Sequence, residues 1–171
     1  PLTEHALYVT INDIVLNPDT PHEKRRPFEV FINSKSMEHF QWIVALTRII
    51  SAVFRKGGDV TFLVEELHSV FDPRGVYFKK GRYTPSLVAE LGDVIERHLK
   101  LIGMIPTEEM DVHRRKFVAE KRAEHGIGAV NTEVAGDFPA DAQLCGKCSM
   151  KAVIKMDGCM TCLNCGESKC G

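Results

Sequence analysis

Most of this chain lacks cysteine: none precedes residue 145, and all six fall in the closing stretch CGKCSMKAVIKMDGCMTCLNCGESKCG. Long apolar runs are also missing. No stretch reaches the ~18 residues that a membrane span needs, so no membrane partner is expected. The opening PLTEHALYVT has neither the basic start nor the apolar core of a secretory signal, which predicts a cytoplasmic protein. It begins on Pro1 rather than Met, which reads as a fragment, a processed product or a trimmed piece. Excess charge of either sign is absent too. With 171 residues and a net charge of -1, the chain has no general pull toward nucleic acid. Before Pro106 there is no glycine-rich phosphate loop, no paired histidine and carboxylate, and no nucleophile with a base at a readable spacing. That segment does not look catalytic.

The part without cysteine reads as an α+β domain. ALYVTINDIV (residues 6–15) is rich in β-branched and aromatic residues and predicts a strand. FEVFIN (residues 28–33) alternates cleanly and predicts its antiparallel partner, with a Pro-punctuated loop between them. The basic run HEKRR is expected at the solvated tip of that loop. Ser36 is a plausible N-cap for a long helix reaching Arg55, which Gly57 and Gly58 stop. Its middle, WIVALTRIISAVF, is apolar on nearly all sides, so Trp42 and Phe54 are expected to pack in a core, or the helix also meets a partner. A second helix is expected over residues 59–71. A third opens at Thr84-Pro85, with Leu87, Leu91, Val94, Ile95, Leu99 and Ile102 on one stripe.

From Pro106 the composition shifts. TEEMDVHRRKFVAEKRAEHG is charged and reads as a frayed helix with a solvated face, and GIGAVNTEVAGDFPADAQ is small and polar. The expected division is residues 1–105 as a docking or structural domain, 106–142 as a tether and 143–171 as a metal-bearing tail. The expected fold is thus an antiparallel strand pair packed with three helices, then a flexible tether and a small zinc-ribbon-like end.

Paired C-x-x-C spacing in a chain without a signal peptide points to metal or redox chemistry. Two such turns joined by a short hairpin can place four thiolates around one ion, zinc being the usual occupant of an all-thiolate structural site. So short a segment cannot hold a fold by burial alone and needs a staple. Which four cysteines serve is open. Cys145, Cys148, Cys162 and Cys165 have the form of a ribbon, since Gly166 after the second knuckle leaves amides free to approach sulfur. That choice leaves Cys159 and Cys170. The alternative, Cys145, Cys148, Cys159 and Cys162, leaves Cys165 and Cys170. Either way two thiols are spare in a small exposed module, with Lys169 nearby to favour thiolate, which suggests thiol–disulfide exchange.

The stretches RRPFEVFINSKSMEHFQWIVALTRIISAVFRKGGDVTFLVEELHSVFDPRG, YTPSLVAELGDVIERH and CMTCLNCGESKCG resemble the C-terminal region of bacterial adenosylcobalamin-dependent (class II) ribonucleotide reductases. Some bacteria make that enzyme as two chains. The resemblance implies that a cysteine pair on the C-terminal tail re-reduces an active-site disulfide and is itself reduced by thioredoxin or a relative. Cys165 and Cys170 resemble the C-x4-C shuttle pair of many such enzymes, with Cys159 and Cys170 as the alternative. It further implies that adenosylcobalamin and substrate bind a catalytic portion whose barrel this chain has no room for. That portion is therefore the expected partner, and the chain alone is expected to have no activity.

A different class remains in view: a zinc-ribbon module that binds nucleic acid or regulates the reductase without redox activity. HEKRR, HRRKF and the lysines Lys147, Lys151, Lys155 and Lys169 would carry phosphate contacts. The acids interleaved with them, and the lack of aromatic stacking positions in the ribbon, argue against nucleic acid.

Overall fold

The computed structural model describes residues 6–35, 40–73, 75–107, 110–127, 138–156 and 158–170. In chain order the elements are β1 (Leu7–Leu16), β2 (Lys24–Ser34), α1 (Phe40–Lys56), α2 (Phe62–His68), β3 (Tyr77–Lys79), β4 (Arg82–Thr84), α3 (Leu87–Leu101), α4 (Val112–Glu124), β5 (Gln143–Leu144), β6 (Lys151–Met156), β7 (Cys159–Cys162) and β8 (Ser168–Cys170). They form two compact units, residues 1–70 with 88–107 and residues 71–87 with 108–171. The fold is α+β. Among the described residues no helix is long and apolar enough to cross a membrane.

In the first unit β1 and β2 pair antiparallel, Ile11 opposite Val30 and Val9 opposite Ile32. Their alternation turns these four residues toward a core shared with Ile50 and Phe54 of α1, Leu63, Val64 and Leu67 of α2, and Leu91, Ile95 and Leu99 of α3. The tip of HEKRR lies in the turn, but Lys24, Arg25 and Arg26 already belong to β2. The register shifts at Asn12/Asp13, where β2 brings Pro27, a residue with no N–H for the ladder. At this bulge Asp13 Oδ1 meets His98 Nε2 of α3 at 2.7 Å. Ser51 on α1 is buried and closes the sheet's other edge: its Oγ accepts from Val30 N at 3.0 Å and donates to Val30 O at 3.2 Å.

Thr47, Ile50, Ser51 and Phe54 form the buried face of α1. Phe54 packs as expected, but Trp42 does not. It is 69% exposed, and Ile49, one heptad on and therefore on the same side, is 61% exposed. Both lie across the helix from the buried face, while Leu46 and Val53 of α1 pack against the edge of the core. The expected cap Ser36 lies outside the described residues. Helix α2 is shorter than expected, because Asp59 Oδ1 accepts from Thr61 N and Thr61 Oγ1 and holds residues 59–61 in a turn before it. Gly92 lets α3 approach α2 closely: a Cβ there would lie 2.8 Å from His68 Cδ2 and 3.1 Å from Leu67 Cβ.

The second unit holds the β3–β4 hairpin, helix α4 and an antiparallel four-stranded sheet in the order β5-β6-β7-β8. Thr84 ends β4 rather than capping α3, which starts at Leu87. Lys80 and Gly81 both have positive φ, 49° and 79°, the backbone of a type I′ hairpin turn.

Candidate metal centre and disulfide

Two turns of matching geometry build the centre. In the first, Ser149 N donates to Cys145 O at 3.0 Å and Lys147 N points at Cys145 Sγ at 3.4 Å. In the second, Gly166 N donates to Cys162 O at 2.9 Å and Asn164 N points at Cys162 Sγ at 3.4 Å. Each turn ends on a residue in the left-handed region, Ser149 at φ 55° and Gly166 at φ 71°. The first turn precedes β6 and the second follows β7, and pairing of these strands (Val153 opposite Cys162) sets the turns side by side.

This brings Cys145, Cys148, Cys162 and Cys165 together, with their sulfurs all within 4.8 Å of one another. Cys145 and Cys165 are 3.7 Å apart, as are Cys148 and Cys162. A tetrahedron with Zn–S bonds of ~2.3 Å has edges of ~3.8 Å, and the two 3.7 Å pairs match it, so the set is compatible with a zinc ion. Cys145 and Cys162 are buried and the other two are half-buried. A bond from Cys162 Sγ–H outweighs burial and, with the Asn164 side-chain amide, holds the Cys148 thiol at about 4. The same contact and burial push Cys162 well up, and burial pushes Cys165 up to about 11. The first thiolate in the cluster thus opposes the rest, and a divalent cation removes that opposition.

Elements from outside the cysteine-rich segment brace each turn. The β3–β4 hairpin docks on the first: Tyr83 N donates to Ser149 O at 2.7 Å and Lys151 N to Gly81 O at 2.8 Å. Helix α4 covers the second. Asp111 caps it by accepting from His113 N and Arg114 N, which holds the Asp111 carboxyl below the usual carboxylate range. Arg114, Val118 and Arg122 recur every four residues and form the stripe that faces the ribbon. A Cβ on Gly166 would lie 2.6 Å from Arg114 Cγ and 3.1 Å from Val118 Cγ2. Val118 is 1% and Arg122 3% exposed. The Arg122 guanidinium carbon lies 5.1 Å from the Phe138 ring centroid. The solvated face expected for HRRKFVAEKR is therefore only part of this helix, and the period-four spacing of Arg114, Val118 and Arg122 is the sequence signal of its buried side.

The remaining cysteines are joined to each other. Cys159 on β7 stands opposite Cys170 on β8, and a disulfide links them. Cys170 is exposed and Cys159 half-buried. Beside them Thr161 and Ser168 share a hydroxyl hydrogen bond of 2.9 Å across the same strand pair.

The TSCPD domain matches residues 3–99, more than half of the chain. The chain belongs to the TSCPD domain family. This domain is found in class II adenosylcobalamin-dependent ribonucleotide reductases, which agrees with the resemblance seen in the sequence and ties the chain to the catalytic part of such an enzyme. No curated protein and no solved structure matches the chain.

The TSCPD match ends before the first cysteine, yet it includes the β3–β4 hairpin that grips the first knuckle. Residues 106–142, expected as a tether, contribute α4 and Phe138 to the unit that holds the ribbon. As for the expected site residues, Cys145, Cys148, Cys162 and Cys165 lie together, whereas Cys159 is paired with Cys170. Cys165, named both in the first expected zinc set and in one of the two expected redox pairs, stands among the four sulfurs. Asn164, Arg122 and the hairpin were not among the expected site residues.

Proposed function

We infer that this chain is the C-terminal part of an adenosylcobalamin-dependent ribonucleotide reductase, and that Cys159 and Cys170 are its redox pair. Zinc held by Cys145, Cys148, Cys162 and Cys165 staples the ribbon. The observation that carries this reading is the division of labour among six sulfurs: four converge within 4.8 Å of one another while the other two close on each other at the outer strand. A ligand set and an exchanging pair need different residues, since a metal-bound thiolate is not free to cycle through a disulfide.

The chemistry balances as an exchange. In the reduced form, a thiolate on exposed Cys170 attacks one sulfur of the catalytic portion's disulfide and expels the other as thiolate. Cys159 then attacks Cys170 of the mixed disulfide, which releases the second active-site sulfur and closes Cys159–Cys170. Two electrons and two protons pass to the active site. A dithiol of the thioredoxin class restores the pair by the same exchange in reverse. The radical chemistry on the ribose belongs to the catalytic portion where adenosylcobalamin binds, and no residue of this chain is assigned to it.

The test compares reductants with the assembled reductase. Cys170→Ser and Cys159→Ser should keep zinc and fold but lose turnover driven by thioredoxin, while a small dithiol that reaches the active site directly still supports it. Equal loss with both reductants would remove the shuttle role. The backbone bonds that fasten the ribbon to the β3–β4 hairpin favour a second reading, a structural or regulatory module without redox activity, in which neither replacement affects thioredoxin-driven turnover.

A further inference from the structure

We propose that Arg122 is the buried counter-charge of the four-cysteine centre and sets how tightly the centre retains a divalent metal. This rests on the reading that Cys145, Cys148, Cys162 and Cys165 hold such an ion. Four thiolates and a divalent cation leave two net negative charges in a mostly buried site, and uncompensated buried charge is strongly unfavourable.

Arg122 has the position and the need to compensate it. Its side chain is 3% exposed, a burial that a guanidinium tolerates only when paired. Among the described residues no carboxylate pairs with it, and its buried Nε has no hydrogen-bond partner. Phe138 takes one face of the guanidinium. The residues around it belong to the centre. Phe138 and Ile127 pack in the same cluster as Cys145 and Cys162, and Ile127 N is bonded to Arg122 O. Two turns earlier on the stripe, Arg114 packs against Gly166 of the second knuckle. With no carboxylate paired to it among the described residues, the charge left to balance Arg122 is the sulfur cluster, and α4 serves to deliver it.

Zinc affinity of the reduced full chain, measured by competition with a chromophoric chelator, tests this. Arg122→Met keeps length and apolar bulk but removes the charge, and should weaken zinc binding ~10–100-fold, the range typical of outer-shell residues at metal centres. Arg122→Lys should recover most of that loss. Val118→Ala and Phe138→Leu loosen packing on the same helix and ring while leaving the charge, and should retain near-native affinity. Cobalt(II) bound to Arg122→Lys should keep the thiolate charge-transfer spectrum of the native chain. Native affinity in Arg122→Met would overturn the proposal. So would an equal loss in Val118→Ala or Phe138→Leu, which would make packing the cause. A native chain that binds no zinc would overturn the metal reading as well, whereas native binding with no effect of Arg122→Met would overturn this inference alone.

Discussion

Cys159 and Cys162 stand three residues apart on β7 and point to opposite faces of the ribbon sheet. A strand turns successive side chains to alternate sides, so an odd spacing separates them. Cys162, fully buried, enters the four-sulfur centre, while Cys159 meets Cys170 across the strand pair. One short strand thus serves two sulfur chemistries and keeps them apart. Cys159→Ser should accordingly leave zinc content unchanged, and Cys162→Ser should abolish it, as read by metal analysis of the purified chains under reducing conditions.

Ser149 occupies in the first knuckle the left-handed position that Gly166 occupies in the second. A residue with a Cβ is strained there by ~1 kcal/mol, part of which glycine gives back through its greater freedom in the unfolded chain. Ser149→Gly should raise the thermal midpoint of the zinc-loaded chain modestly, with zinc affinity equal or higher. Gly166→Ala combines the strained backbone with a Cβ driven into Arg114 and Val118, and should weaken both.

Ser51 closes the backbone of β2 where no further strand follows. Ser51→Ala leaves Val30 N–H and C=O buried without this partner, at ~1–3 kcal/mol. Chemical denaturation should show the loss in the first unit, while metal binding stays unchanged. Ser51→Thr keeps the hydroxyl and should recover part of the stability.

How much of this was legible follows the physics of each element. ALYVTINDIV and FEVFIN alternate and were readable as a strand pair, because one face is buried and the other is not. The four-sulfur set was readable as one of two options, since C-x-x-C spacing defines a turn but not its partner. Sequence alone could not show that β7 places Cys159 and Cys162 on opposite faces, because that depends on β7 being a regular strand up to Cys162. Trp42 was misleading for the opposite reason: α1 is apolar all round, and periodicity cannot rank two apolar faces. The β3–β4 hairpin left a signal that was not used, Gly81 between the β-prone runs YFK and RYT. Arg122 was hidden by its own charge, since an arginine in the charged run HRRKFVAEKR reads as solvent-facing until its stripe with Val118 is matched to a surface.

Asp111 links α4 to acidity. The two backbone N–H bonds it accepts lower its folded pKa, so its contribution is present above its unfolded value, ~3.8, and fades as pH falls through the lower folded one. Asp111→Ala should lower amide protection in the first turn of α4 at neutral pH. The difference from the native chain should narrow below about pH 4, with protonation of the cap. A gap that stays constant down to strongly acidic conditions would mean that the carboxylate is not the cap that matters.

Metal removal should act beyond the segment that holds the cysteines. The core of the second unit is small: Ile127, Met150, Ala152 and Leu163 supply its buried residues beside Cys145 and Cys162 themselves. The first unit has its own core of ten buried residues drawn from β2, the α1–α2 region and α3. A chelator applied to the reduced chain should therefore release hydrogen-exchange protection in β6 and β7, and also in α4 and the β3–β4 hairpin, which contain no cysteine but rest on the two knuckles. Amides of α1 and α3 should keep theirs, because the buried side chains of those helices pack in the first unit's own core. Cys145→Ser should reproduce the pattern without chelator. If α4 kept full protection after metal loss, its Arg114–Val118–Arg122 face would be held by something other than the stapled ribbon, and the metal would be stabilising the knuckles alone.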